Sequence, residues 1–247
     1  MARLSRENKA SRPAARARRP AKALATAARQ AGRRPSSGDT PYHHGDLHEA
    51  LLQAAERVLE RDGIAGLTLR AVAREAGVSH AAPTHHFGDL TGLLSELAAI
   101  GFRMFNKAMV AARDSETHPL MKGLANAKAY VAYAQAHPGM YGLMFRTERL
   151  DMSRPSLHEA ATASFAGLAG AIGASRQEEI SAAALSLEQA ADIARAWSLV
   201  HGFTMLLLDG RLKDILDRLP QGADAGVLLD AMLKRAAAQM PAQPAPR

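Results

Sequence analysis

The residues best equipped for chemistry lie between Thr68 and Phe87, in the run TLRAVAREAGVSHAAPTHHF. They offer hydroxyls at Thr68, Ser79 and Thr84, a guanidinium at Arg70, imidazoles at His80 and His85, and bare methyls at Ala81 and Ala82. Hydroxyls, arginine and imidazole suit phosphate oxygens and purine N7 atoms, while alanine methyls suit thymine methyls. The spacing supplies a frame for that chemistry. Two short apolar-periodic segments meet at Ala76-Gly77-Val78-Ser79, a short junction containing glycine, which is the helix-turn-helix pattern. Gly77 can take the positive φ that a tight turn needs. Thr68 is placed to cap the first helix and Ser79 the second, which is expected to run to about His86. Val72 and Val78 can hold the two helices at a fixed angle. Phe87 reads as core and His86 as a partly buried side chain.

Other chemistries find less support. Six of the ten histidines fall within residues 41–105, at 43, 44, 48, 80, 85 and 86. His44 and His48 are four apart, but they span a helix start and no acid–histidine signature accompanies them, so no metal is expected. These imidazoles would instead gain charge below about pH 6.5 and strengthen attraction to phosphates. Cysteine is absent, which excludes disulfides, thiol nucleophiles and Cys-ligated zinc. No phosphate-binding glycine loop, His-Glu metal helix or Gly-x-Ser-x-Gly turn occurs. No catalytic residue, cofactor or enzymatic activity is expected.

Charge is distributed unevenly. The formal net charge of the 247-residue chain is +7. Residues 1–40 hold eleven Lys or Arg against two acids, a net of +9, and the remainder is −2. Residues 41–105 hold five Arg (57, 61, 70, 74, 103), no Lys and eight acids, a net of −3. A basic arm on a near-neutral body implies a polyanion partner, nucleic acid or an anionic membrane surface. The arm is rich in Ala, Arg and Ser, has no stripe wide enough to bury, and reads as disordered. A transit peptide and a translation start placed too early are its other readings. No run of about 18 apolar residues occurs, so no transmembrane helix is expected and the protein is expected in the cytoplasm, on the nucleoid when bound to DNA.

The elements that must position these groups are all helical. Leu47, Leu51, Ala54, Ala55, Val58 and Leu59 form one stripe, punctuated by Gly63. Asp89 or Thr91 can cap a long helix through about Arg113, and beyond His118 and Pro119 the chain is again helix-like to Ala136. His137-Pro138-Gly139 breaks the chain before a short segment at 140–145. Helices are expected at about 156–172, 186–208 and 224–240, with 173–186 as loop containing some helix. No strand alternation or long repeat appears. The predicted class is all-α, with 1–40 a basic arm, 41–90 the helix-turn-helix domain, 91–240 a helical domain and 241–247 a frayed tail.

Residues 43–94 resemble the DNA-binding domain of TetR-type (tetracycline-repressor-like) regulators. The matching features are a first helix ending Asp62-Gly63, then Leu67-Thr68-Leu69-Arg70, Ala76-Gly77-Val78-Ser79, a short helix ending His86-Phe87, and Leu93-Leu94. His137-Pro138, Tyr141 to Phe145, and Trp197, His201 and Gly202 resemble one branch of that family with a Trp-His-Gly signature. The resemblance covers about residues 42–238. It implies a homodimer that binds a double-stranded, pseudo-palindromic operator, and a C-terminal helical domain that dimerises and holds a small effector whose binding releases DNA, as in a repressor. The DNA-facing positions it implies are Tyr42, His43, His44, Thr68, Arg70, Ser79, His80, Ala81, Ala82, Thr84 and His85. Three departures stand out. Thr84 replaces a usual Tyr and Leu90 a common Lys, both phosphate contacts. Pro83, counted from a cap at Ser79, would remove a backbone bond and distort the recognition helix slightly, although related sequences carry His-Ala-Ala-Pro here.

Candidate effector-pocket residues are Phe105, Met109, Tyr130, Tyr133, Tyr141, Met144, Phe145, Trp197 and His201. Such a set suits a mostly apolar ligand with one or two polar atoms, though the same stripes also read as ordinary core. The last two helices have wide apolar faces, and Trp197, Val200, Met205, Leu228 and Met232 are the candidate dimer contacts. A non-specific, architectural DNA-binding protein driven by the arm is the alternative function, and membrane-surface binding by the arm a further one.

Overall fold

The computed structural model describes residues 44–238, and every described element is helical: α1 (His44–Gly66), α2 (Leu69–Ala76), α3 (Ala82–Phe87), α4 (Leu90–Asp114), α5 (Pro119–Ala136), α6 (Pro138–Met144), a 3-10 turn (Thr147–Arg149), α7 (Pro155–Arg176), α8 (Leu187–Leu208), α9 (Lys213–Leu216) and α10 (Ala225–Ala238). No strand occurs among the described residues. Residues 1–40, Tyr42, His43, the side chain of His44 and the tail at 241–247 lie outside them.

The α1 stripe packs as its spacing predicts: Leu51, Ala54, Ala55, Val58 and Leu59 are fully buried. Gly63 does interrupt the helix, at φ 68 and ψ −177, a region that a side chain strongly disfavours. One further turn follows to Gly66. Asp89, not Thr91, caps α4, with the Gly92 N–H donating to its Oδ1 at 2.8 Å. A full capping box at Ser186 and Gln189 opens α8.

Two expectations need correction. Ser79 does not cap α3; the helix begins at Ala82 with Ala81 at its cap and no side-chain cap bond. The reason is Pro83. Because its ring nitrogen has no hydrogen, the helix starts late enough for proline to sit in the first turn, where no N–H is required. The expected distortion is therefore avoided by moving the start. Second, α7 runs on to Arg176 and stops at Gln177, which takes the left-handed conformation at φ 56. The short α9, a single turn between α8 and α10, carries no expectation from the sequence.

The main core cluster joins the N-terminal helices to α4–α7. It includes Leu51, Leu59, Phe87, Leu97, Phe105, Tyr133, Tyr141 and Leu157. A second cluster of Val131, Phe203, Leu212 and Leu229 ties α8 and α10 to α5. Long α4 is the spine, packing against α1, α3, α5, α6 and α7.

Candidate nucleic-acid interface and aromatic cluster

The helix-turn-helix is built by local rules. The Ala71 N–H donates to Thr68 Oγ1 at 3.1 Å, so Thr68 caps α2 as its sequence position predicts. Gly77 follows in the left-handed conformation at φ 69. The Val78 N–H turns back to the Ala73 carbonyl at 3.0 Å, closing the helix end. Val72 is buried and Val78 packs against the same core, which fixes α2 relative to α3.

One side of α3 is anchored and the other is open. Pro83 and Phe87 are buried, with Phe87 only 2% exposed. Burying the Phe87 ring stabilises the fold by about 3 kcal/mol relative to a methyl. Ser79, His80, Ala81, Thr84 and His85 are exposed, Ala82 is half-buried, and Thr68 and Arg70 are exposed beside them. Proline's fixed φ and phenylalanine's burial thus turn the predicted base-reading positions outward together.

Local positive charge is scarce. Arg57 and Arg61 bind Glu75 at 3.0 and 2.9 Å, crosslinking α1 to α2, and Arg61 also holds Asp62. The hydrogen bonds from Arg61, then Arg57, hold the Glu75 carboxyl below the usual carboxylate range. Arg70 and Arg74 lie on α2, and both are exposed. Arg74 was not among the sequence-predicted contacts; its spacing of four from Arg70 was the available signal.

The predicted pocket residues gather in one place. Phe105, Met109, Tyr130, Tyr133, Tyr141 and Met144 are all buried in the main core cluster. The Tyr141 hydroxyl lies 3.1 Å from that of Tyr130 and 2.8 Å from Nδ1 of His201, and the Tyr130 hydroxyl lies 2.9 Å from the same nitrogen. Phe145 stacks edge-on against His201, and Trp197 borders both. Burial pushes both phenols above their ordinary range and pulls His201 below its ordinary value of 6.5. All three groups are therefore uncharged at neutral pH. Tyr133 stands apart, donating to the Gly101 carbonyl at 3.0 Å. The cluster is neutral and able to exchange hydrogen bonds, which suits an uncharged partner with a polar atom.

The candidate dimer residues divide into two sets. Trp197 and Met205 are exposed, at 44% and 37%, together with Val227 on the last helix and with Leu206, which the sequence reading did not single out. Val200, Leu228 and Met232 face inward, packed against the second core cluster. Helix α8 is apolar around most of its circumference, so periodicity alone does not separate its inner from its outer side.

The fold and these surfaces define an all-helical protein with an N-terminal helix-turn-helix and a larger C-terminal helical body. Residues 51–97 match the family described as bacterial regulatory proteins, tetR family. Residues 124–236 match the tetracyclin repressor-like C-terminal domain. A solved protein of unknown function from Rhodococcus sp. RHA1 is 34% identical, over 80% of this chain and 96% of that one, with a TM-score of 0.64. A TetR-like transcriptional regulator from the same organism shares the fold at 18% identity and a TM-score of 0.51, over 79% of this chain and 98% of that one. No curated protein matches the sequence significantly. The chain belongs to the tetR family of bacterial transcriptional regulators, and as such it is a DNA-binding protein.

Proposed function

We propose that this protein is a repressor that binds a pseudo-palindromic operator as a homodimer and is released by a small, mostly apolar effector. The observation that carries the DNA reading is the two-sided character of α3 and the turn that leads into it: Phe87 is buried while His80 and Ala81 in the turn, and Thr84 and His85 on the helix, are exposed. These residues and Ala82 meet base edges, and Ser79, Thr68, Arg70 and the amide end of α2 meet phosphates. Tyr42, His43 and His44 extend the phosphate contact on the N-terminal side.

The exposed apolar groups on α8 and α10 support a dimer. Trp197, Met205, Leu206 and Val227 would be covered by the same face of a second copy. The neutral Tyr130–Tyr141–His201 cluster supports an effector site, with Phe145 and Trp197 as apolar walls. The domain division follows: residues 41–90 read DNA, and 91–240 dimerise and take the effector. The net charge of +9 in residues 1–40 supports a role as an arm along phosphates, where each contact steepens the salt dependence of log affinity by about 0.9.

Selection of bound duplexes from a random pool by the full chain tests this. A repressor enriches a short pseudo-palindrome whose binding falls when an effector is added. The same arm charge favours a second reading, non-specific duplex binding, which would enrich no sequence and give uniform, salt-labile affinity. Among the described residues no helix is long and apolar enough to cross a membrane.

A further inference from the structure

Helix α3 ends at Phe87, and its last carbonyl needs a donor. Gly88 takes φ 81, and its N–H returns to the Thr84 carbonyl at 2.9 Å. The chain then turns away into α4, leaving the Phe87 carbonyl without a helical partner. That donor comes from far along the chain. Arg154, the residue preceding α7, donates from Nη2 to the Phe87 oxygen at 3.0 Å. Gly92 makes room for this contact: a Cβ there would stand 2.0 Å from the Phe87 oxygen and 2.5 Å from Arg154 Nη2.

The guanidinium is held in place from two sides. Its Nη1 lies 3.6 Å from Glu96 on α4, and its Nε lies 3.8 Å from Asp151. Nε is buried and makes no hydrogen bond, so the group is pinned by charge and by the Phe87 bond. A cation at a helix C-terminus also complements the negative end of the helix dipole.

The segment leading to Arg154 is itself stiff. It leaves the aromatic cluster at Phe145. The Arg146 N–H bonds the Leu143 carbonyl at 3.1 Å, and the Arg149 N–H bonds that of Arg146 at 2.9 Å. Leu150 is buried. The Asp151 N–H donates to the buried Ser95 hydroxyl at 2.9 Å, and that hydroxyl donates to the Thr91 carbonyl at 2.7 Å. Finally the Arg154 N–H bonds the Asp151 carbonyl at 3.1 Å.

We propose that Arg154 is a positioning residue for DNA reading: it caps the C-terminal end of α3 from outside the helix-turn-helix and ties that helix to the segment that begins at the effector cluster. This rests on the proposed roles of α3 and of that cluster. Displacement of Phe145 by an effector would then pull on the cap of the reading helix by a short bonded route.

The test uses the full chain as wild type, Arg154→Ala and Arg154→Lys, in hydrogen exchange and in DNA binding. In Arg154→Ala, amides in residues 82–92 exchange about tenfold faster while those of α5 and α8 are unchanged. Affinity for a pool-selected duplex falls about tenfold, and affinity for an unrelated duplex of equal length does not change. Arg154→Lys keeps the charge without the planar fork and gives an intermediate result, and it carries the test if the alanine variant fails to fold. Unchanged exchange at 82–92, or acceleration spread equally over α5 and α8, overturns the positioning role. If no duplex is selected, the DNA reading fails separately, and the exchange experiment still decides whether Arg154 caps α3.

Discussion

The hydroxyls of Tyr130 and Tyr141 both lie within hydrogen-bonding distance of one nitrogen, His201 Nδ1, and either alone can partner it, which predicts a specific non-additivity. In Tyr141→Phe, the Tyr130 hydroxyl remains 2.9 Å from His201 Nδ1 and still satisfies it. In Tyr130→Phe, Tyr141 remains 2.8 Å from the same nitrogen. Each single change should therefore cost only the net worth of a hydrogen bond, about 1 kcal/mol. The double variant leaves the imidazole nitrogen of a partly buried histidine with neither partner. That adds a desolvation penalty of about 1–3 kcal/mol, so the double variant should lose about 3–5 kcal/mol rather than about 2. The assay is urea unfolding of all four proteins at one protomer concentration, read from the midpoint at constant slope. Losses that sum to within about 0.3 kcal/mol would refute a shared hydrogen-bond partner and leave two independent hydroxyls.

Further outcomes follow from the same geometry. Gly77→Ala should lose about 1 kcal/mol from backbone strain alone, because nothing lies within 4 Å of the added Cβ, and Gly77→Asn should lose less; equal losses in denaturant titrations would point to packing instead. Phe87→Ala should lose about 3–5 kcal/mol of stability, whereas His85→Ala, at an exposed position, should leave the unfolding midpoint unchanged. His201 has a folded pKa below its unfolded value of 6.5, so the unfolded chain binds the proton more tightly. Stability from that group is present above about pH 6.5 and declines as pH falls through it, a decline that calorimetry between pH 7 and pH 5 should show in the wild type and find reduced in His201→Asn. A chain beginning at Asp39 should show a shallower salt dependence of DNA affinity than the full chain, and equal slopes would remove the arm from binding.

Much of the fold was legible because its signals are local. Thr68, Gly77 and Asp89 act through their own caps and turns, so residue type and position sufficed. Pro83 shows a local signal read against the wrong reference: the proline was correctly seen as incompatible with a helix interior, but the chain satisfies it by starting α3 at Ala82. The aromatic cluster was gathered correctly by type, while its hydrogen-bonded centre at His201 joins residues 60 and 71 positions apart and leaves no periodic trace. On α8, apolar residues on nearly every side hid which ones face outward. Arg154 was invisible for a similar reason. It is one arginine before a proline, and its partner carbonyl is 67 residues away and belongs to the backbone, which no side-chain pattern can announce.

The central claim is that the exposed face of α3 reads sequence. The most direct measurement is the ratio of affinities of the full chain for a pool-selected duplex and for the same duplex with its half-sites scrambled. The ratio is taken for the wild type and for a variant carrying His80→Ala, Thr84→Ala and His85→Ala. The wild type should prefer the selected duplex by about a thousandfold or more, and the variant should lose most of that preference with an unchanged unfolding midpoint. A variant that keeps the full preference, or a wild type with none, would contradict the assignment of α3 as the reading helix.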